Sequence, residues 1–230
     1  MTSRELLQGI LGLLLSSILV PIILFLSAGT LDWPQAWIYT AMYLTAALGG
    51  RLLVYRINPD TLRERARSLS ADKIMPGDRV IVIVIGIIGP LLMMSTAGLD
   101  HRFQISPSVP IILWVNAVIL VSGGYLVAVW ALVSNPFFSA VARLQDDRGQ
   151  IVVKEGPYRY IRHPGYAGGI VSTFAAAIVL GSYLALIPGL LIAIVYVIRT
   201  SREDQMLATG LDGYPEYSAN VRFRLLPGVW

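Results

Sequence analysis

Residues Gly156–Tyr166, reading GPYRYIRHPGY, bring Arg159, Arg162 and His163 together with Tyr158, Tyr160, Tyr166 and two prolines. Pro157 and Pro164 fix φ and remove backbone donors, so the strip is stiff and non-helical up to its last residues. Gly156 and Gly165 permit tight turns or a close ligand approach. The cationic side chains can donate to an anion, and the tyrosines offer faces to a planar ring or a cation. Pro164 stands at the first turn of a helix beginning near Gly165, where anions are favoured. The same residues would equally serve as an interfacial anchor, because arginine and tyrosine are ordinary at the cytoplasmic end of a membrane helix.

A second group, Arg199–Asp204 (RTSRED), ends a long apolar stretch. Arg199 and Glu203 have i,i+4 spacing, which allows an intrahelical ion pair. Glu203 and Asp204 are adjacent carboxylates that can hold ribose hydroxyls, accept protons or attract a sulfonium. Their bland reading is a solvated helix end, although acids at a helix C-terminus oppose its dipole. Asn135, beside Pro136-Phe137-Phe138-Ser139, is either a cap or a substrate contact. Asn116 is expected to bond to another helix, Gly123-Gly124 to permit close helix packing, Arg51 to snorkel from a helix end, and His101 to be exposed.

The elements that must position these groups are apolar. The chain has 230 residues, 55% hydrophobic and 14% charged, with mean hydropathy +0.65. Soluble domains carry about 25% charged residues, so an integral membrane protein is expected. Segments Leu6–Leu26, Ala36–Val54, Val80–Ala97 and Ile111–Val133 each suit one crossing of about 20 residues. Ala167–Ile198 reads as a helical hairpin turning at Leu180–Tyr183. The predicted fold is all-α: a polytopic membrane helix bundle of four spanning helices plus a C-terminal hairpin. It forms one domain, 1–230, with N-terminal helices over 1–134 and a binding region over 135–230. Trp33, Trp37 and Trp114 lie near segment ends, where the interface favours them. Asp60–Arg67 reads as a short surface helix after the Asn58-Pro59 start signal. Arg143–Gly149 and Ile151–Val153 suggest a hairpin or a loose turn. Gly210, Gly213 and Pro215 are expected to break the tail.

Lysine and arginine concentrate in the second and fourth connections and the tail; Ser27–Gln35 has none. The positive-inside rule therefore places both termini and the strip Gly156–Tyr166 on the cytoplasmic face, and the hairpin returns Arg199–Asp204 to the same side. Cysteine is absent and only His101 and His163 are present, which excludes thiolate chemistry and argues against a metal centre. Neither a phosphate-binding glycine loop nor a dinucleotide fingerprint occurs. The charge follows membrane topology, so no nucleic-acid partner is expected.

In order, GPYRYIRHPGY, a hairpin, REDQML, GYPEY and RFRLLP resemble the C-terminal half of the isoprenylcysteine carboxyl methyltransferase family, whose superfamily includes phospholipid N-methyltransferases. The resemblance covers about Asn135–Pro227. It maps the family pattern onto Gly156, Pro157, Tyr158, Arg162, His163, Pro164, Tyr166, Arg199, Glu203 and Asp204; the second acid is usually glutamate. It implies S-adenosylmethionine at the cytoplasmic face, with adenine against Tyr158 or Tyr166, the methionine carboxylate on Arg162 and His163, and the ribose or ammonium on Glu203 and Asp204. It implies a lipid-like or isoprenylated acceptor, small-molecule or protein, reached from the bilayer. Carboxyl O-methylation is the first expectation, with Arg199, then Asn135, positioning the carboxylate. Phospholipid or amine N-methylation is the alternative and would need a base. An NADPH-dependent reductase of the sterol-reductase type, and a non-catalytic transporter or scaffold, are the readings from other classes.

Overall fold

The computed structural model describes residues 17–67 and 73–230, and the helices among them are α1 (Ser17–Ala28), α2 (Pro34–Ile57), α3 (Pro59–Arg67), α4 (Asp78–Phe103), α5 (Ile111–Ser134), α6 (Pro164–Val179), α7 (Leu186–Gly210) and α8 (Tyr214–Asn220). There is no strand among the described residues; Ile74 and Arg143 form an isolated bridge. Prolines open α2, α3 and α6, where a missing N–H costs nothing. Helix α4 widens into a π turn at Val84–Ile88, just before Gly89-Pro90. A side chain at Gly89 would strike Ile192 of α7 at 2.6 Å.

Helices α4 and α5 are long and apolar enough to cross a membrane. Only 28% and 17% of their most apolar windows are buried, so their outer faces suit lipid better than water. The other two expected spans stand differently. Ala36–Val54 lies within the 24-residue α2, which falls short of the apolar composition of a span. Leu6–Leu26 lies partly outside the described residues, its remainder within α1. The hairpin is present as α6 and α7, turning over Leu180–Ala185.

Helices α5 and α6 pack backbone to backbone. A Cβ on Gly124 would lie 2.6 Å from the Gly168 carbonyl oxygen, and one on Gly168 would lie 2.5 Å from that of Gly124. Small residues permit this approach; Gly123 faces open space. Around this seam, Leu24, Trp33, Met93, Val121, Ala176 and Ile192 form the core. At one end, buried Asp100 accepts from the Ser106 backbone (2.7 Å) and the Ser182 hydroxyl, tying the α4–α5 loop to the hairpin turn. Trp114 donates to the Val179 carbonyl at 2.9 Å. At the other end converge the C-termini of α2 and α5, the N-termini of α4 and α6, and the polar half of α7. Asn58 there donates to the Val133 carbonyl at 2.9 Å.

Several local expectations change. Pro215 opens α8 and does not break the tail; Gly210 ends α7, and Gly213 (φ 77°) makes the turn between them. The segment after Arg143 is irregular, with a single 3-10 turn at Asp146–Arg148. Asn116 bonds to Ile112 of its own helix at 2.8 Å. Trp33 is buried in the core, and His101, half-buried, stacks on it at 4.5 Å. Trp37 remains half-exposed.

Candidate active site

The strip Gly156–Tyr166 enters as a 3-10 turn, Gly156–Arg159, and leaves as the first turn of α6. Gly156 has φ 60°, and a Cβ there would sit 2.4 Å from Ser134 Oγ, so the turn requires glycine. This seats the strip on the end of α5. Pro157 and Pro164 are buried and shape the entry and exit. Tyr158 is buried, its hydroxyl accepting from Asn135 Nδ2 at 3.3 Å. Burial pushes its phenol pKa up, so it stays protonated. Asn135 Oδ1 accepts from the Phe137 backbone at 2.9 Å. Asn135 is thus both the turn-former and a contact of the site.

Asp204 is the hub beneath the strip. It accepts from Arg162 Nη2 at 3.0 Å, Arg224 Nε at 2.8 Å and the Tyr214 hydroxyl at 2.7 Å, and His163 Nε2 lies 3.3 Å away. Arg162 Nε is 2.8 Å from the carboxylate but lacks hydrogen-bond geometry, and it has no other partner. Burial tends to raise the Asp204 pKa, but hydrogen bonds from His163, Arg224 and Tyr214 outweigh it and hold the carboxyl well below the usual range. A carboxylate can only accept, so His163 donates through Nε2 and keeps Nδ1 as its free ring nitrogen. The tail fastens the same strip: the Arg162 and His163 backbone N–H groups donate to the carbonyls of Phe223 and Arg224 at 3.0 and 2.9 Å.

Glu203 turns the other way and accepts the Tyr166 hydroxyl. The Tyr166 ring stacks near His163, with centroids 5.6 Å apart, and the Arg199 guanidinium lies 5.2 Å from its centroid. Arg199 does not pair with Glu203. It makes two 3.0 Å bonds to Asp78 at the start of α4 and a 2.7 Å bond to the Ala140 carbonyl. Arg143 is likewise held by Glu64 at 3.0 Å and Asp147 at 2.8 Å.

These groups surround a partly open cleft. Of the sequence-selected residues, Asn135, Tyr158, Arg162, His163, Tyr166 and Glu203 line it. Gly156, Pro157, Pro164, Asp204 and Arg199 do not. Phe137, Phe138, Gln145, Gln150 and Arg143 are among the other lining residues. Sequence reasoning passed over these, although an aromatic pair directly after Asn135-Pro136 in a polar loop was a usable signal. Asp78, Tyr214 and Arg224 were also missed.

Residues 112–211 match the family model for phospholipid methyltransferases. A search of curated proteins gives no match to the chain. The matched segment runs from α5 to the end of α7 and contains every residue that lines the cleft. It lies in the superfamily shared by isoprenylcysteine carboxyl and phospholipid methyltransferases. The matched family is one of methyltransferases acting on phospholipid, and α4 and α5 are long and apolar enough to cross a membrane.

Proposed function

We propose that the protein uses S-adenosylmethionine to methylate an amine on a lipid acceptor, in the cleft bounded by Asn135, Tyr166 and Glu203. One observation carries this reading. The Glu203 carboxylate borders the cleft with Tyr166 as its one hydrogen-bond partner among the described residues, whereas Arg143, Arg162 and Arg199 are already bonded to carboxylates. A sulfonium donor and an amine acceptor both call for negative charge. A carboxylate acceptor would call for an uncommitted cation, and Arg199, the residue first expected to supply it, lies behind the Tyr166 ring.

The chemistry of the lining fits the cofactor. Phe137, Phe138 and Tyr166 offer faces for adenine, Gln145 and Gln150 offer amides, and Glu203 can accept from the ribose hydroxyls or the ammonium group. When bound, S-adenosylmethionine supplies a methyl group on a sulfonium, and its thioether leaves as the acceptor nitrogen takes that methyl.

The protein supplies alignment, charge and a base. Holding donor and acceptor in line can contribute about 7–11 kcal/mol. The acceptor amine must lose its proton before it can attack, and His163 Nδ1 is the group placed to receive it. Asp204 fixes the ring by accepting from Nε2. The cleft lies at the polar end of α4 and α5, so the cofactor would enter from water and the acceptor from the bilayer. The distribution of basic residues assigns that end to the cytoplasm.

The test is transfer of labelled methyl from S-adenosylmethionine into vesicles by the purified protein. Base-stable label in amine lipid is expected. Label released by base as methanol, the mark of a methyl ester, would overturn the amine reading.

A further inference from the structure

Glu64 on α3 stands outside the segment that matches the methyltransferase family, yet it reaches the wall of the cleft from behind. Its Oε1 accepts from Arg143 Nε at 3.0 Å and from the Ser139 hydroxyl at 3.4 Å, and both donors belong to residues that line the cleft. Glu64 itself does not line it. The Arg143 and Glu64 side chains are only 8% and 10% exposed, so their ion pair is shielded from water. The other carboxylate on Arg143 belongs to Asp147, which bonds Nη1 at 2.8 Å but is 63% exposed and therefore screened. The seating of α3 sets the position of Glu64. One turn earlier, Thr61 is fully buried and donates to the Pro136 carbonyl at 3.3 Å. Arg143 is fixed from another side, because Ile74 bridges it and the Met75 N–H donates to the Ala142 carbonyl at 2.9 Å.

We infer that Glu64 is a specificity-determining residue: acting through Arg143, it makes the cleft select a cationic ligand over an anionic one. This rests on the proposed function for the identity of the cation, a lipid amine. A guanidinium at the wall of a site recognises carboxylate or phosphate oxygens through its forked donors. Glu64 takes up the Nε donor of Arg143 and offsets its charge at close range, away from solvent. Arg162 is offset in the same way by Asp204. Glu203 is then the charge that a ligand meets. Without the Glu64 charge, Arg143 would keep only the screened Asp147, and the cleft would hold an available cation beside Glu203. The role is one of positioning and charge, because Glu64 does not border the cleft.

Two isosteric variants test the inference in opposite directions. E64Q keeps an acceptor for Arg143 and Ser139 and removes the charge; R143Q removes the cation and leaves Glu64. Thermal unfolding in neutral detergent is followed without S-adenosylmethionine, with octylammonium or octanoate titrated in. The parent should be stabilised by octylammonium and not by octanoate. In E64Q, octanoate should gain affinity and octylammonium lose it, each by about tenfold or more. In R143Q, octylammonium should gain and octanoate should still not bind. E64Q/R143Q should lose the octanoate gain. A pair that served only to hold the fold would weaken both ligands alike, and that result, or an unchanged preference, would overturn the inference. So would octanoate binding to the parent as tightly as octylammonium. If E64Q does not fold, R143Q decides: a folded R143Q without the octylammonium gain overturns the inference. These titrations read binding alone. If the crossed preferences appear while no labelled methyl enters amine lipid, the methyltransferase reading fails and the charge assignment stands.

Discussion

Arg199 Nε and Nη2 each lie 3.0 Å from the Asp78 carboxylate, joining α7 to the start of α4 across 121 positions of sequence. Asp78 is fully buried and Arg199 nearly so. The pair also receives the Ala142 backbone N–H at 2.6 Å and gives one hydrogen to the Ala140 carbonyl, so it anchors the loop that forms one wall of the cleft. Breaking one partner of such a pair costs about 3–5 kcal/mol, because the other charge is stranded. Asp78→Ala and Arg199→Ala should each lower the thermal midpoint in detergent sharply. The double variant should lose less than the sum of the two. Additive losses would show that the two side chains do not act as a unit.

The Asp204 hub makes a separable prediction about His163. His163→Ala should lower kcat by about 10²–10⁴, the range of a general base. Asp204→Asn keeps the shape but removes the charge that orients the ring, and it should shift the acid limb of the kcat/KM profile. A purely structural Asp204 would lower the amount of folded protein and leave the pH profile of the remainder in place.

Stability should depend on pH through the same carboxylate. The folded Asp204 pKa lies below the ordinary value, so in the range between them the unfolded chain binds more protons. Its contribution is complete above the unfolded pKa of about 3.9 and is lost as pH falls from there toward the folded value. Thermal midpoints taken from about pH 6 down to pH 3 should fall less steeply for Asp204→Asn than for the parent. Parallel curves would contradict the assignment.

The α5–α6 seam offers a paired test. Gly124→Ala places a methyl 2.6 Å from the Gly168 carbonyl, and backbone must move to admit it. A loss of about 1–3 kcal/mol is expected, the range for overpacking. Gly123→Ala meets nothing within 4 Å and should be neutral or slightly stabilising, since alanine is the better helix former. Equal effects at the two positions would argue against direct contact at the seam.

Much of the site was legible because its chemistry is local in sequence. Residues 156–166 and 199–204 carry charge and aromatic rings where neighbouring segments are apolar, and the hairpin between them can only return them to one end. What sequence spacing could not reveal is pairing at a distance. Arg199 looked available to Glu203 four residues away, but Asp78 reaches it from another helix, and this moved Arg199 out of the cleft. Asp204 looked like a second ligand-holding acid, and the tail residues Tyr214 and Arg224 converted it into a buried support. Asn135 had two readings: its Oδ1 makes the turn by accepting from the Phe137 backbone, and its Nδ2 is bonded to Tyr158 at the edge of the cleft. The span count was less legible: α4 and α5 meet the length and composition of a crossing, while α2, interrupted by Gly49-Gly50-Arg51, does not.

The central claim is that Glu203 provides the negative charge on which methyl transfer to a lipid amine depends. Its most direct test is the Glu203→Gln variant in vesicles containing phosphatidylethanolamine and labelled S-adenosylmethionine. Label entering the amine lipid should fall about 10²-fold or more relative to the parent, the scale for losing one preorganised electrostatic group, while the variant remains folded by thermal unfolding. Transfer at the parental rate by a folded Glu203→Gln protein would contradict the account.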